Sequence, residues 1–161
     1  MRMTAEPQGL ITRRYTIVAE GAPVAELSFP AFGPSTVSPI GGQAYRLRRA
    51  GVLRERFTLE PDVAGGLAVA SATQRDPLRR EFAVEVGARR LSLRSASLLR
   101  SDYLLLDGAQ TIGALHPTGA LRQGIEADLP DGLPLEARVF ILWVVLLLWR
   151  GRRVTRASAS E

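Results

Sequence analysis

From residue 14 onward, apolar and polar positions alternate in short runs separated by turn residues. Residues 14–20 and 24–29 flank Gly21-Ala22-Pro23 and read as a first hairpin. Residues 43–49 and 54–60 are joined through Gly51, and residues 67–73 lie between Gly65-Gly66 and Asp76-Pro77. Residues 81–86 turn at Gly87-Ala88 into residues 90–94. Residues 102–106 turn at Asp107-Gly108, a strong hairpin dipeptide, into residues 111–115. Residues 121–129 carry a weaker last strand pattern, and residues 30–42, rich in Pro, Gly and Ser, read as the longest loop. About ten short strands with no helices between them predict an antiparallel sandwich or barrel. Within residues 81–86 the period of two sends Phe82, Val84 and Val86 inward and leaves Glu81 and Glu85 to water.

The pattern changes at Pro134. A proline followed by Glu136 suits the first turn of a helix, and residues 139–149 are then apolar without a break. The run stops at Arg150-Gly151-Arg152-Arg153, where cations suit the helix C-terminus and glycine suits a stop. A helix over about residues 134–150 that is apolar on every face must be surrounded on every face. A membrane span needs about 20 apolar residues. Here the run meets Arg138 on one side and a cluster of arginines on the other. The pattern therefore predicts strands wrapped around the helix, with insertion into a bilayer as the alternative.

Charge and composition narrow the picture only partly. All 21 cationic Lys or Arg residues are arginine, and the formal net charge is +5. The abundance of Arg, Ala, Gly and Leu throughout fits a coding bias, while guanidinium groups also suit bidentate anion binding. No cysteine is present, which excludes disulfides, thiolate nucleophiles and thiolate-bound metal. Residues 1–9 have no apolar core of signal-peptide length, so a cytoplasmic location is expected, with peripheral membrane contact.

A succession of hairpins closed by a hydrophobic C-terminal helix, introduced by Ala127-Asp128-Leu129-Pro130 and Leu133-Pro134-Leu135, resembles the tubby C-terminal-like superfamily of tubby domains, LURP-one-related proteins and phospholipid scramblases. The likeness covers about residues 14–153 and rests on element order. It implies a mainly β fold: a closed antiparallel barrel of about ten to twelve strands enclosing the C-terminal helix. It also implies activities at phosphoinositides or membrane lipids. The basic pair through which tubby domains contact phosphoinositides has no identifiable counterpart here, nor does the acidic calcium loop ascribed to scramblases.

The most suggestive chemistry lies around Gly51. With Tyr45, Leu47, Phe57 and Leu59 inward, strand parity places Arg46, Arg48, Arg54 and Arg56 on one outer face. Facing like charges destabilise a sheet unless something negative lies among them. A phosphate headgroup, an acidic partner or carboxylates from neighbouring strands would each serve. Arg89, Arg90 and Arg94 are expected to pair with Glu81 and Glu85 across their hairpin. Arg150, Arg152, Arg153 and Arg156 form a basic end to the chain. Enzyme motifs are missing: no G-x-S-x-G elbow, no Walker loop and no dinucleotide fingerprint occurs. His116 reads as a turn histidine, and Glu126 with Asp128 is a lone carboxylate pair. Trp143 and Trp149, inside the apolar run, read as core. The basic face lacks interleaved aromatic residues, so no specific nucleic-acid partner is expected.

These features predict a non-catalytic binding or scaffold domain, without cofactor or metal, that docks on anionic phospholipid headgroups through Arg46, Arg48, Arg54 and Arg56. A membrane-anchored protein and a protein-interaction domain binding an acidic partner are the alternatives. Residues 1–13 and 154–161 are expected to be flexible segments outside the barrel, which then spans residues 14–153.

Overall fold

The alternating runs close into a wall of antiparallel strands around one helix. The computed structural model describes residues 1–8, 14–29, 35–51, 54–76, 78, 80–97, 101–118 and 124–159, with side chains described as far as Gly151. Among these residues the elements are, in order, β1 (Arg2–Pro7), β2 (Arg14–Ala19), β3 (Ala22–Ser28), β4 (Ser35–Ile40), β5 (Gln43–Ala50), β6 (Arg56–Pro61), β7 (Ala70–Asp76), β8 (Glu81–Val86), β9 (Arg89–Ser95), β10 (Tyr103–Asp107), β11 (Gln110–Thr118), β12 (Gly124–Asp128) and α1 (Leu135–Ala159). Each strand pairs with its sequence neighbour, and β1 pairs with β12 to close the barrel.

The helix lies inside this wall. Val139, Phe140, Ile141, Leu142, Val144, Val145 and Leu146 are buried, and so cover every face of α1. They share one core with the inward residues of the strands, such as Leu27, Leu47, Phe57, Leu93 and Leu115. Trp143 and Trp149 belong to that core as well; Trp143 meets Phe57 edge-on at 5.7 Å and stacks on Phe140. The inward set expected for β5 and β6 is correct: Tyr45, Leu47, Phe57 and Leu59 are all buried. Among the described residues, no helix is long and apolar enough to cross a membrane.

Several expected boundaries differ, among them β7, expected over residues 67–73 and found at Ala70–Asp76. Residues 1–13 are expected outside the barrel, yet Arg2–Pro7 is a strand that turns Met3 and Ala5 inward and completes the closure, while residues 9–13 lie outside the described residues. Residues 35–40, expected as loop, form β4 and pair with β5 along their whole length. Toward β3, however, β4 makes only the pair Ala25↔Ile40. A proline within a strand is tolerated where no ladder donor is demanded, and Pro39 lies on this almost one-sided strand. Finally, α1 continues past Gly151 to Ala159. Gly151 is not among the positive-φ glycines, so it continues the helix and does not cap it. Residues 30–34 and 160–161 lie outside the described residues.

Burial has one consequence that pH reveals. Tyr103 is 1% exposed, and burial pushes its phenol up to about 12. The fold holds the neutral phenol, whereas an unfolded tyrosine ionises near 10. Stability from this group is therefore complete below pH 10 and is lost as pH rises from 10 through 12, by about 3 kcal/mol in all. Phenolate absorbance should show one tyrosine titrating only near pH 12. Tyr103→Phe should remove that step and flatten the fall in stability between pH 10 and 12.

Candidate functional site

The antiparallel order sorts the connections into two ends. The β2–β3, β4–β5, β8–β9 and β10–β11 turns lie at the end where α1 begins, here called the bottom. The β3–β4, β5–β6, β7–β8 and β9–β10 connections lie at the end where α1 leaves, the top.

At the bottom, carboxylates gather around two cationic groups. The Met1 amine lies 2.7 Å from the Leu129 carbonyl oxygen, 3.0 Å from Asp131 and 3.4 Å from Asp128. The hydrogen bond to Asp131 is the main reason that this amine is held above its usual pKa. Arg138, 7% exposed, lies beside Met1 Sδ and 4.0 Å from Asp131, and its Nε has no partner among the described residues. Cation and carboxylate balance there.

The expected arginine face divides in two. Arg46 donates to Asp62 at 3.0 Å, and Arg48 lies 2.6 Å from Glu60. These two arginines and two carboxylates line a shallow concavity of about 520 Å³ beneath the turn at Gly65-Gly66. Their charges cancel locally, the relief that a row of guanidinium groups requires. Arg54 and Arg56 are exposed and belong instead to the top. The expected second patch holds in part: Arg90 lies 3.8 Å from Glu85 and Arg94 stands opposite Glu81, but Glu81 meets Arg75 at 4.0 Å and Arg89 pairs with Asp107 at 3.5 Å. His116 lies within β11 on its outer side, 3.8 Å from Glu126, which also meets Arg2 at 3.2 Å. Among the described residues no group of three or more His, Cys, Asp or Glu side chains could hold a metal ion.

The top brings together residues that the sequence pattern did not connect. Beyond Ala25↔Ile40 the described parts of β3 and β4 make no ladder pair, and a cavity of about 400 Å³ opens beside the last buried turn of α1. Phe29, Trp143 and Leu147 supply its apolar surface, Ser28, Ser35 and Thr36 its hydroxyls, and Arg49 and Arg150 its cations. Each guanidinium rests near an aromatic ring: Arg150 lies 4.8 Å from the centroid of Phe29, and Arg49 lies 5.8 Å from that of Phe57. Arg49 also pairs with Glu55. Trp143 is 3% exposed, and its indole N–H has no acceptor among the described residues. Parity held the one available clue. Arg49 follows Tyr45 and Leu47 at inward spacing, and an inward charge at a strand end marks a barrel mouth.

The fold and this site define a closed twelve-stranded antiparallel barrel, built around its own C-terminal helix and open at a cationic, partly aromatic end. No family model matches the chain, and neither a curated protein nor a solved structure is significantly similar to it.

Proposed function

We propose that the protein is a non-catalytic binding domain that docks the top of its barrel on anionic phospholipid headgroups, on a tubby-like scaffold. The observation that carries this reading is the clustering of arginines around one exposed leucine, Leu78, at the top. Arg49, Arg54, Arg56, Arg80 and Arg150 all lie at the top, and the backbone of α1 continues from there through Arg152 and Arg153. Leu78, 85% exposed, projects from the β7–β8 turn between Arg75 and Arg80. A bilayer interface receives this combination, with guanidinium groups at the phosphates and an aliphatic side chain below them. The tubby-like element order supports the same reading, since lipid headgroups are ligands of that superfamily. Docking is peripheral, because the apolar part of α1 is already buried in the barrel. Arg54 and Arg56 of the expected face contribute; Arg46 and Arg48, which line the concavity beside Gly65-Gly66 away from the top, do not.

Flotation with phosphatidylglycerol vesicles tests this. The protein should float with anionic vesicles at low salt, and neither with phosphatidylcholine vesicles nor at high salt. With about 1 kcal/mol for each arginine near the surface, Arg54→Gln/Arg56→Gln/Arg80→Gln should weaken binding about a hundredfold. Arg46→Gln/Arg48→Gln should leave it nearly unchanged. Equal binding to neutral vesicles, or loss of binding in the second variant alone, would refute docking through the top.

A further inference from the structure

The side of the barrel carries an apolar surface that docking through the top leaves unused. Among the described residues the exposed large hydrophobic side chains are Val37, Val63, Leu67, Val69 and Leu78. Leu78 lies at the top; the other four gather on one sector of the wall, from β4 to the start of β7. The register fixes their neighbourhood. Val37 stands opposite Arg46, and Arg46 stands opposite Glu60. The Val69 N–H donates to the Leu59 carbonyl oxygen at 2.8 Å, which continues the pairing of Leu59 with Ala70 and sets Val69 beside Glu60. These four residues share the outer face, because Ser38, Tyr45, Leu47, Leu59 and Ala70 next to them are buried. At the usual strand spacing the row from Val37 to Val69 crosses roughly 14 Å of wall. Val63 and Leu67, the latter 83% exposed, belong to the turn between β6 and β7 that borders the Arg46/Arg48 concavity.

A lone exposed apolar side chain is ordinary, but several grouped around charged residues have the make-up of a protein contact. The charges say which protein. Arg46 and Arg48 are matched by Asp62 and Glu60, so this sector is neutral in a chain of formal net charge +5. A strongly acidic or basic partner meets no net field there. Two copies of a cationic chain repel each other over most of their surface, and the repulsion is least where a neutral sector meets its like. Two charges of each sign also make the patch its own complement. Under a two-fold rotation the arginines of one copy face the carboxylates of the other, while the valines and Leu67 cover one another. We infer that this sector, with Val37, Val63, Leu67 and Val69 around the Arg46–Asp62 and Arg48–Glu60 pairs, is an isologous interface joining two copies of the chain. It lies away from the top, so it stands or falls independently of docking.

Sedimentation equilibrium of the unsubstituted protein, over a range of concentrations and without lipid, tests this. It should show a monomer–dimer equilibrium and no larger species. Val63→Asp/Leu67→Asp should weaken the dimer about a hundredfold. Both positions are exposed, so the circular dichroism of that variant should be unchanged. Leu78→Asp, at the top, should leave the dimer as it is. Arg48→Glu makes the patch acidic and Glu60→Arg makes it basic, so each variant alone should be monomeric. An equimolar mixture of the two should form dimers again, because the two altered patches now complement each other. A chain that stays monomeric at every concentration, or a dimer undisturbed by Val63→Asp/Leu67→Asp, would overturn the inference. So would a mass that keeps growing with concentration, or a mixture as monomeric as its two components.

Discussion

Aspartate at Val145 should prevent the protein from folding. Val145 is fully buried in the middle of α1, with Val144 and Leu146 beside it and the inward side chains of the barrel around it. A carboxylate there has no cationic partner within the apolar run, so the chain must bury a charge or protonate it. The effective penalty is several kcal/mol, against a total stability of about 5–15 kcal/mol for an ordinary domain. The loss is not confined to the helix. Without α1 the inward faces of the strands have nothing to pack against, and a barrel of this size cannot fill itself with wall side chains alone. Circular dichroism and size-exclusion chromatography should therefore show loss of sheet and an expanded chain. A graded companion is Phe140→Ala, which removes a buried ring stacked on Trp143 and should cost about 3–5 kcal/mol by urea denaturation. A folded Val145→Asp protein would mean that α1 is not the core. Loss of membrane association without loss of sheet would identify the helix as an anchor.

That dependence on α1 is also why the architecture could be read from the pattern of residues. Residues 139–149 are apolar on all faces, so their surroundings had to be apolar on all sides, and the only material in the chain able to supply them was the alternating strands. Strands with bulky inward residues, such as Phe82, Val84 and Val86 in β8, declared themselves. Those built on small or polar inward residues did not. β1 offers only Met3 and Ala5 to the core, and β4 offers Ser38 and Ile40 with Pro39 between them. Both are held by pairing with strands distant in sequence or by one neighbour alone, information that local alternation does not carry.

The site was legible in its residue types but not in its grouping. Arg46, Arg48, Arg54 and Arg56 do share a parity, yet parity is silent about which end of a strand a residue occupies and which carboxylates approach it. Glu60 lies opposite Arg46 on β6 and pairs with Arg48, while Asp62 reaches Arg46 from the following turn. Arg49 and Arg150 are separated by most of the sequence and line one cavity only because α1 leaves the barrel beside the end of β5. The β3–β4 seam, with one ladder pair among the described residues, is a property of the closed wall and has no sequence signal beyond Pro39.

Alanine at Gly51 should damage both the fold and the site. Gly51 has φ +109, a conformation that residues with a Cβ rarely adopt, and a Cβ built there would lie 1.8 Å from the Arg54 carbonyl oxygen. Moving that oxygen means moving the backbone that leads into β6, since the same region presents Glu55 to Arg49 and starts the strand at Arg56. Strain and clash together should cost about 3 kcal/mol or more, seen as a lower urea midpoint with an unchanged slope. Gly87→Ala provides the contrast. Gly87 also has a positive φ, +57, but nothing lies within 4 Å of its would-be Cβ, so backbone strain alone should cost about 1 kcal/mol. Because Gly51 lines the cavity at the top beside Arg49 and Ala50, Gly51→Ala should also weaken flotation with anionic vesicles even where the protein remains folded. Gly87→Ala, at the opposite end, should leave it unchanged. Equal losses of stability and binding in the two variants would show that the clash at Arg54 does not govern the top of the barrel.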